Sequence, residues 1–393
     1  MDFMNLAMGM DPIGFSEETL MWRYRNPVEI TFGTGALNAL PKLIDGRRYA
    51  LVTYPDPWFT SLAARLGELC GDPVLTVGDI APNPDMRLLA EQSSRFGEAA
   101  AQADVIVALG GGSVIDSAKV FAAAPGRFAA VERYLKTGAG AEALTATAII
   151  AIPTTAGTGS EVTSWATVWD TVFGKKYSLA RPDLYPEHAL VDPQLMLGKP
   201  RDLTISTGLD ALSHALESLW NVNANPVSAQ HAVGAAREIL AVLPALANDL
   251  QNLELRTRMA QAALSAGLAF SNTRTAIAHS ISYPLTLHYG VAHGIACSFT
   301  LPMVLRSVSD VGGLTRTGLA GIFGPDIARA ADGLERFLHD LGVSTDSRSH
   351  GVQSDAWSRL ILDAFDGERG QNFVGTKHAL TQAAGLLAEA AAE

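Results

Sequence analysis

The stretch DVIVALGGGSVIDSAK, residues 104–119, constrains this chain more than any other. Its apolar run VIVAL carries no polar alternation, so it reads as a strand buried on both faces. Such strands belong to parallel sheets covered by helices. The run ends in Gly110, Gly111 and Gly112 and then opens a helical pattern. Glycines there let the backbone approach a pyrophosphate, and the helix N-terminus offers unpaired N–H groups and a positive dipole end. The alternative is a tight strand-to-helix turn that needs glycine for positive φ. The spacing is not GxGxxG, so the usual dinucleotide fingerprint is absent.

Similar punctuation surrounds it. YALVTY (49–54), PVLTV (73–77) and ATAIIAIP (146–153) read as strands, and WFTSLAARLGELC and MRLLAEQSSRFGEAAAQ as the helices between them. This βαβα order predicts an α/β domain over 1–200, a parallel sheet with helices on its faces. From 201 helical patterns dominate, as in TGLDALSHALESLWN and SAQHAVGAAREILAVLPALAND. They predict an all-α domain over 201–393, joined to the first through LGKPRDLT. A second loop, PTTAGTGSEVT (153–163), follows the ATAIIAIP strand and offers the hydroxyls of Thr154, Thr155, Thr158, Ser160 and Thr163. Two polar loops at strand ends match the rule that ligands bind beyond the carboxyl ends of parallel strands. A capped surface loop is the other reading of the second.

Composition narrows the function class. The chain of 393 residues is 48% hydrophobic and 18% charged, enough apolar surface for large cores. A net charge of −11 argues against nucleic acid or an anionic membrane as partner. The two cysteines, Cys70 and Cys297, form no CxxC and no disulfide framework, which fits a reducing compartment. The start, MDFMNLAMGMDPIGFSEETLMW, has no basic n-region and is interrupted by acids, so it does not read as a signal peptide. The expectation is a soluble cytoplasmic protein.

The helical half carries the candidate chemistry. Asp210 and His214 are four residues apart on a helical pattern and leave one face. His279 and His293 follow in NTRTAIAHSISYPLTLHYGVAHG (272–294). One carboxylate and three neutral imidazoles suit Fe(II), Zn or Mn, and a divalent ion would leave a net charge near +1 to polarise a carbonyl. Each histidine alone also reads as a satisfied core or surface group, and Asp210 as a cap or ion-pair partner.

Taken in order, ITFGTGAL (30–37), PNP (82–84), GGGSxxDxxK, PTTAGTGSE, VDP (191–193), GxDAxxHAxE and the late histidines resemble the iron-containing (group III) alcohol dehydrogenase family. The resemblance spans nearly the whole chain. It implies a two-domain architecture, an α/β nucleotide-binding domain over 1–200 and an all-helical metal and substrate domain over 201–393, a homodimer, and hydride transfer between NAD(P)H and an aldehyde in the interdomain cleft. It implies metal ligands at Asp210, His214, His279 and His293, with Fe(II) expected and zinc suited to the same set. The family's pyrophosphate loop falls on Gly110, Gly111, Gly112 and Ser113, with Asp116 and Lys119 completing the motif. Its nicotinamide-side loop falls on Thr154, Thr155, Thr158, Ser160 and Val162. A lysine near the cofactor ribose falls on Lys176, with Lys175 the neighbouring register.

Three positions depart from many relatives. Tyr54 stands where an acidic residue would disfavour a 2′-phosphate, which leaves both NADH and NADPH open. Tyr283 replaces a histidine that faces substrate, and it becomes the candidate proton donor with an ordinary pKa of about 10. Arg274 replaces a small residue, and its planar fork suits a carboxylate or phosphonate; an ion pair with a nearby acid is the alternative. The NTRTxxAHxxSYPLT pattern is similar to the phosphonoacetaldehyde reductase branch. That likeness implies a small anionic aldehyde reduced to 2-hydroxyethylphosphonate, its head held by Arg274 with Arg369 and Asn372 assisting. Succinic semialdehyde, lactaldehyde or a dehydroquinate synthase-like lyase reaction are the competing expectations.

Overall fold

The computed structural model describes residues 21–100 and 102–386. Residues 1–20 of the chain start read above as no signal peptide, and residues 387–393, lie outside the described residues. The strands are β1 (Glu29–Phe32), β2 (Tyr49–Thr53), β3 (Leu75–Val77), β4 (Val105–Gly110), β5 (Ala148–Pro153), β6 (Trp165–Asp170), β7 (Lys175–Ala180) and β8 (His188–Val191). Helices α1 (Leu40–Ile44), α2 (Pro57–Cys70), α3 (Met86–Ala100), α4 (Gly112–Ala123) and α5 (Phe128–Thr137) alternate with them.

Six strands form a parallel sheet in the order β1-β8-β5-β4-β2-β3. Both faces are buried, as the unbroken apolar runs require. Ile106, Ala108, Ile149 and Ala151 pack on one side with residues of α3 and α4, including Leu89, Ile115 and Phe121. Val105, Val107, Leu109, Ile150 and Ile152 pack on the other with residues of α1 and α2, including Leu40, Phe59 and Leu66. From β2 the chain steps outward to β3 and then returns to the opposite side of β2 as β4. The ends of β2 and β4 therefore form a topological switch point, where a crevice opens beyond the strands. Gly110 lies in register with Pro153, so the loops after β4 and β5 stand side by side.

The second half is helical: α6 (Arg201–Leu219), α7 (Pro226–Asn248), α8 (Leu253–Thr273), α9 (Ile277–Tyr289), α10 (His293–Ser298), α11 (Leu301–Ser307), α12 (Gly313–Phe323), α13 (Ile327–Asp340), α14 (Ser354–Asp363), α15 (Glu368–Gln371) and α16 (Lys377–Ala383). Residues of α6 to α14 and α16 share one apolar core centred on α6 and α7. A smaller cluster of Val162, Ala189, Val191, Met196, Ala260 and Leu264 ties the sheet to α8. The antiparallel pair β6–β7 is an element that the sequence reading did not anticipate. Among the described residues, no helix is long and apolar enough to cross a membrane.

Candidate active site

Three helices each present a pair of side chains at i and i+4, and the pairs converge. α6 supplies Asp210 and His214, with Glu217 on the same face a turn further. α9 supplies His279 and Tyr283, and α10 supplies His293 and Cys297. A close approach of α10 to α6 makes this convergence. A Cβ on Gly294 would stand 1.9 Å from the carbonyl oxygen of Ser206, so only glycine admits the contact.

The donor atoms face one another. Asp210 Oδ1 lies 3.5 Å from His279 Nε2 and 3.8 Å from His214 Nε2. The His214 ring stacks on Phe270 and on the His279 ring, at centroid distances of 4.0 and 4.7 Å. Asp210 Oδ1 and His279 Nε2, which face each other, are buried and have no hydrogen-bond partner. Buried polar atoms without partners are costly, so this cluster has the character of a cation site. Glu217 explains one orientation: it accepts from the His279 backbone N–H at 3.1 Å and contacts Nδ1 at 2.5 Å, which leaves Nε2 to face Asp210. Burial opposes ionisation of Asp210, but His214 and His279 hold its carboxyl well below the usual range. Burial pushes His214 down to about 4 and lowers His293 as well, so both imidazoles keep free lone pairs at neutral pH.

The cofactor-type loops open into the same cleft. Gly112, Ser113, Asp116, Thr158, Ser160 and Lys176 line it together with Asp210, His214, His279 and His293. None of Gly110, Gly111 or Gly112 has positive φ. The glycines answer to close neighbours instead: a Cβ at Gly112 would meet Thr158 at 2.7 Å, and one at Gly110 would meet Val114 at 2.5 Å. Thr155 lies beside Gly111 with the Tyr54 hydroxyl. Thr154 is buried with an unpartnered hydroxyl.

Other predicted positions support the loops from behind. Lys119 is fully buried and donates to the carbonyls of Ser160 and Trp165 at 2.7 and 2.8 Å and to the Thr163 hydroxyl at 3.3 Å. Asp116 accepts from the Thr167 N–H at 2.8 Å and so fastens β6 to α4, while its other oxygen is unpartnered. Val162 packs in the cluster between sheet and α8, away from the cleft. Lys175 is exposed, whereas Lys176 lines the cleft.

Tyr283 sits between two cations. Lys176 Nζ lies 3.7 Å from its ring centroid and the Arg369 guanidinium 4.8 Å. Burial would raise the phenol, but Arg369 and Lys176 outweigh it and hold Tyr283 below its ordinary value. Arg369 lines this cleft and an adjoining pocket that also contains Arg274 and Asn372. Arg274 does not line the cleft with the histidines. It caps α8 at φ 63°, a left-handed backbone that turns it outward, and it pairs with Glu368. Asn372 donates to the carbonyl of Thr275 at 3.0 Å and braces the same turn. The sequence reading quotes Glu217 within its motif and names Cys297 without giving either a role at the site, and it passes over Trp165, Thr167 and Trp169 of the hairpin. Cys297 repeats after His293 the four-residue spacing that singled out Asp210 and His214.

Two family models cover the chain: iron-containing alcohol dehydrogenase over residues 27–193, and the C-terminal domain of the Fe-containing alcohol dehydrogenase family over 204–383. The chain belongs to the iron-containing alcohol dehydrogenase family. This dehydrogenase is 35% identical over 306 residues to a phosphonoacetaldehyde reductase of Streptomyces viridochromogenes, covering 73% of this chain and 76% of that protein. It is 32% identical to a 1,3-propanediol dehydrogenase of Citrobacter freundii, covering 85% and 89%. Its fold matches a sulfoacetaldehyde reductase from Bifidobacterium kashiwanohense, solved in complex with NAD+, with a TM-score of 0.84 and 29% identity, covering 95% of this chain and 100% of that one. The parallel sheet followed by a helical half is the architecture of these proteins.

Proposed function

We propose that this dehydrogenase reduces a two-carbon aldehyde bearing a tetrahedral oxyanion, phosphonoacetaldehyde foremost, to the alcohol. The observation that carries the reading is the Lys176–Tyr283–Arg369 cluster beside the histidines, a strongly cationic patch in an otherwise acidic protein. The likeness to a phosphonoacetaldehyde reductase and a sulfoacetaldehyde reductase supports it, because both names specify a short aldehyde with an anionic head.

Asp210, His214, His279 and His293 would hold a divalent ion, and the orphaned atoms among them fit that role. Bound there, the ion supplies Lewis-acid polarisation of a carbonyl, and a nicotinamide cofactor supplies the hydride. The loops 110–113 and 154–160 would seat the cofactor phosphates and ribose through their backbone N–H groups and hydroxyls. Tyr283 is the proton donor to the product oxygen: its lowered pKa brings the hydroxyl closer to the range useful at neutral pH. Arg369 anchors the oxyanion, with Arg274 at the rim. Anchoring the far end fixes the carbonyl before hydride transfer.

The test follows loss of NADH and NADPH absorbance with phosphonoacetaldehyde, sulfoacetaldehyde, succinic semialdehyde and propanal on metal-loaded protein. Preference for phosphonoacetaldehyde is expected. Equal turnover of propanal would remove the anion assignment and leave a general aldehyde reductase.

A further inference from the structure

Cys297 stands among the metal-type ligands. It is fully buried and lies one turn beyond His293 on α10. Its Sγ is 3.7 Å from His293 Nε2 and 3.8 Å from Nδ1. Single donor atoms of Asp210, His279, His293 and Cys297 all lie within 4.8 Å of one another. Independently, Asp210 Oδ1 and His279 Nε2 are buried, unpartnered and directed at the same point. The sulfur thus closes a set that needs a cation, where an apolar side chain would have served for packing alone.

We propose that Cys297 is a sulfur donor to the metal centre, joining the carboxylate and the imidazoles. The inference rests on the reading above only in that an ion must bind at this cluster. A soft sulfur changes which ion is favoured. It biases the site toward zinc and cobalt(II) and away from magnesium and manganese, which oxygen ligands suit better. A donor set of oxygen, imidazole nitrogen and sulfur therefore gives this dehydrogenase a metal preference different from that of oxygen and nitrogen alone.

The experiment uses the full chain, stripped with a chelator and reloaded with one equivalent of cobalt(II), and reads its absorption spectrum. Thiolate ligation gives a near-ultraviolet charge-transfer band, whereas nitrogen and oxygen ligands give only weak visible bands. The band is expected in the wild type and in Cys70→Ser, and its loss in Cys297→Ser and Cys297→Ala, with the visible bands retained. The chain has two cysteines, and Cys70 ends α2, so the wild type and Cys70→Ser decide the matter even should the Cys297 variants fail to fold. Visible bands without the charge-transfer band in the wild type would overturn the role of Cys297 and leave the metal site standing. Failure to retain cobalt at all would overturn both.

Discussion

Glu217 shows how much a single side chain outside the donor set can decide. It is completely buried and fixes the His279 ring by two contacts. Glu217→Gln should weaken metal affinity about 10- to 100-fold, as the loss of such supporting partners commonly does. Competition against a metal indicator dye measures it, and unchanged affinity would reduce Glu217 to a packing role. Arg369 and Arg274 invite a paired comparison. Removing a charge-assisted contact costs roughly 1.5–3 kcal/mol, or about 10- to 100-fold in KM, when the partner is charged. Arg369→Ala should raise KM by that factor for the anionic aldehyde and leave propanal near the parent value. Arg274→Ala should do less, because Glu368 already holds that guanidinium. A larger effect from Arg274 would place the oxyanion in the outer pocket. Asp210 and His214 stand out in the sequence through their four-residue spacing, whereas His279 and His293, fourteen apart, are singled out by the family resemblance. The outward turn of Arg274 is not legible there, since it depends on one left-handed backbone position at the end of α8.

At the level of elements, the site depends on α10 lying against α6. Gly294→Ala forces a methyl into the Ser206 carbonyl. A loss of about 1–3 kcal/mol of stability is expected from such overpacking. Denaturant unfolding reads it, and a variant as stable as the parent would show that α10 can shift freely. The loop after β5 offers a pH signature. Burial raises the Glu161 carboxyl from 4.5 to about 7 in the fold. Its contribution to stability is therefore complete below pH 4.5 and is lost as pH rises through about 7. Burial lowers its neighbour Lys119 to about 8, so that group acts in a separate, more alkaline window and with opposite sign. The lowered His214 and His293 act in the opposite direction over this window, so the Glu161 contribution is read as a difference: in cofactor-free protein, the stability of the parent relative to Glu161→Gln should fall between pH 4.5 and 7. A difference that stays constant with pH would overturn this role of Glu161. The buried strands were readable because a two-faced parallel sheet demands continuous apolar runs. The β6–β7 hairpin escaped because WATVWD and KKYSLA mix polar and apolar residues without a two-residue turn signal, and tertiary anchors such as Asp116 hold it.

For the whole molecule, the sheet's switch point and the helical half meet in one cleft, so ligands of either half bear on the same junction. Chelation should lower the unfolding temperature by mass action, and adding cofactor should raise it. Differential scanning calorimetry with and without chelator measures the first; no shift would mean that the ion contributes nothing to the folded state. Trp165 and Trp169 stand in the wall of that cleft. Indole emission overlaps the absorption of reduced nicotinamide, so these two side chains make the molecule its own optical gauge. Excitation of tryptophan would report cofactor arrival by energy transfer, and its recovery would time cofactor release, with no label attached.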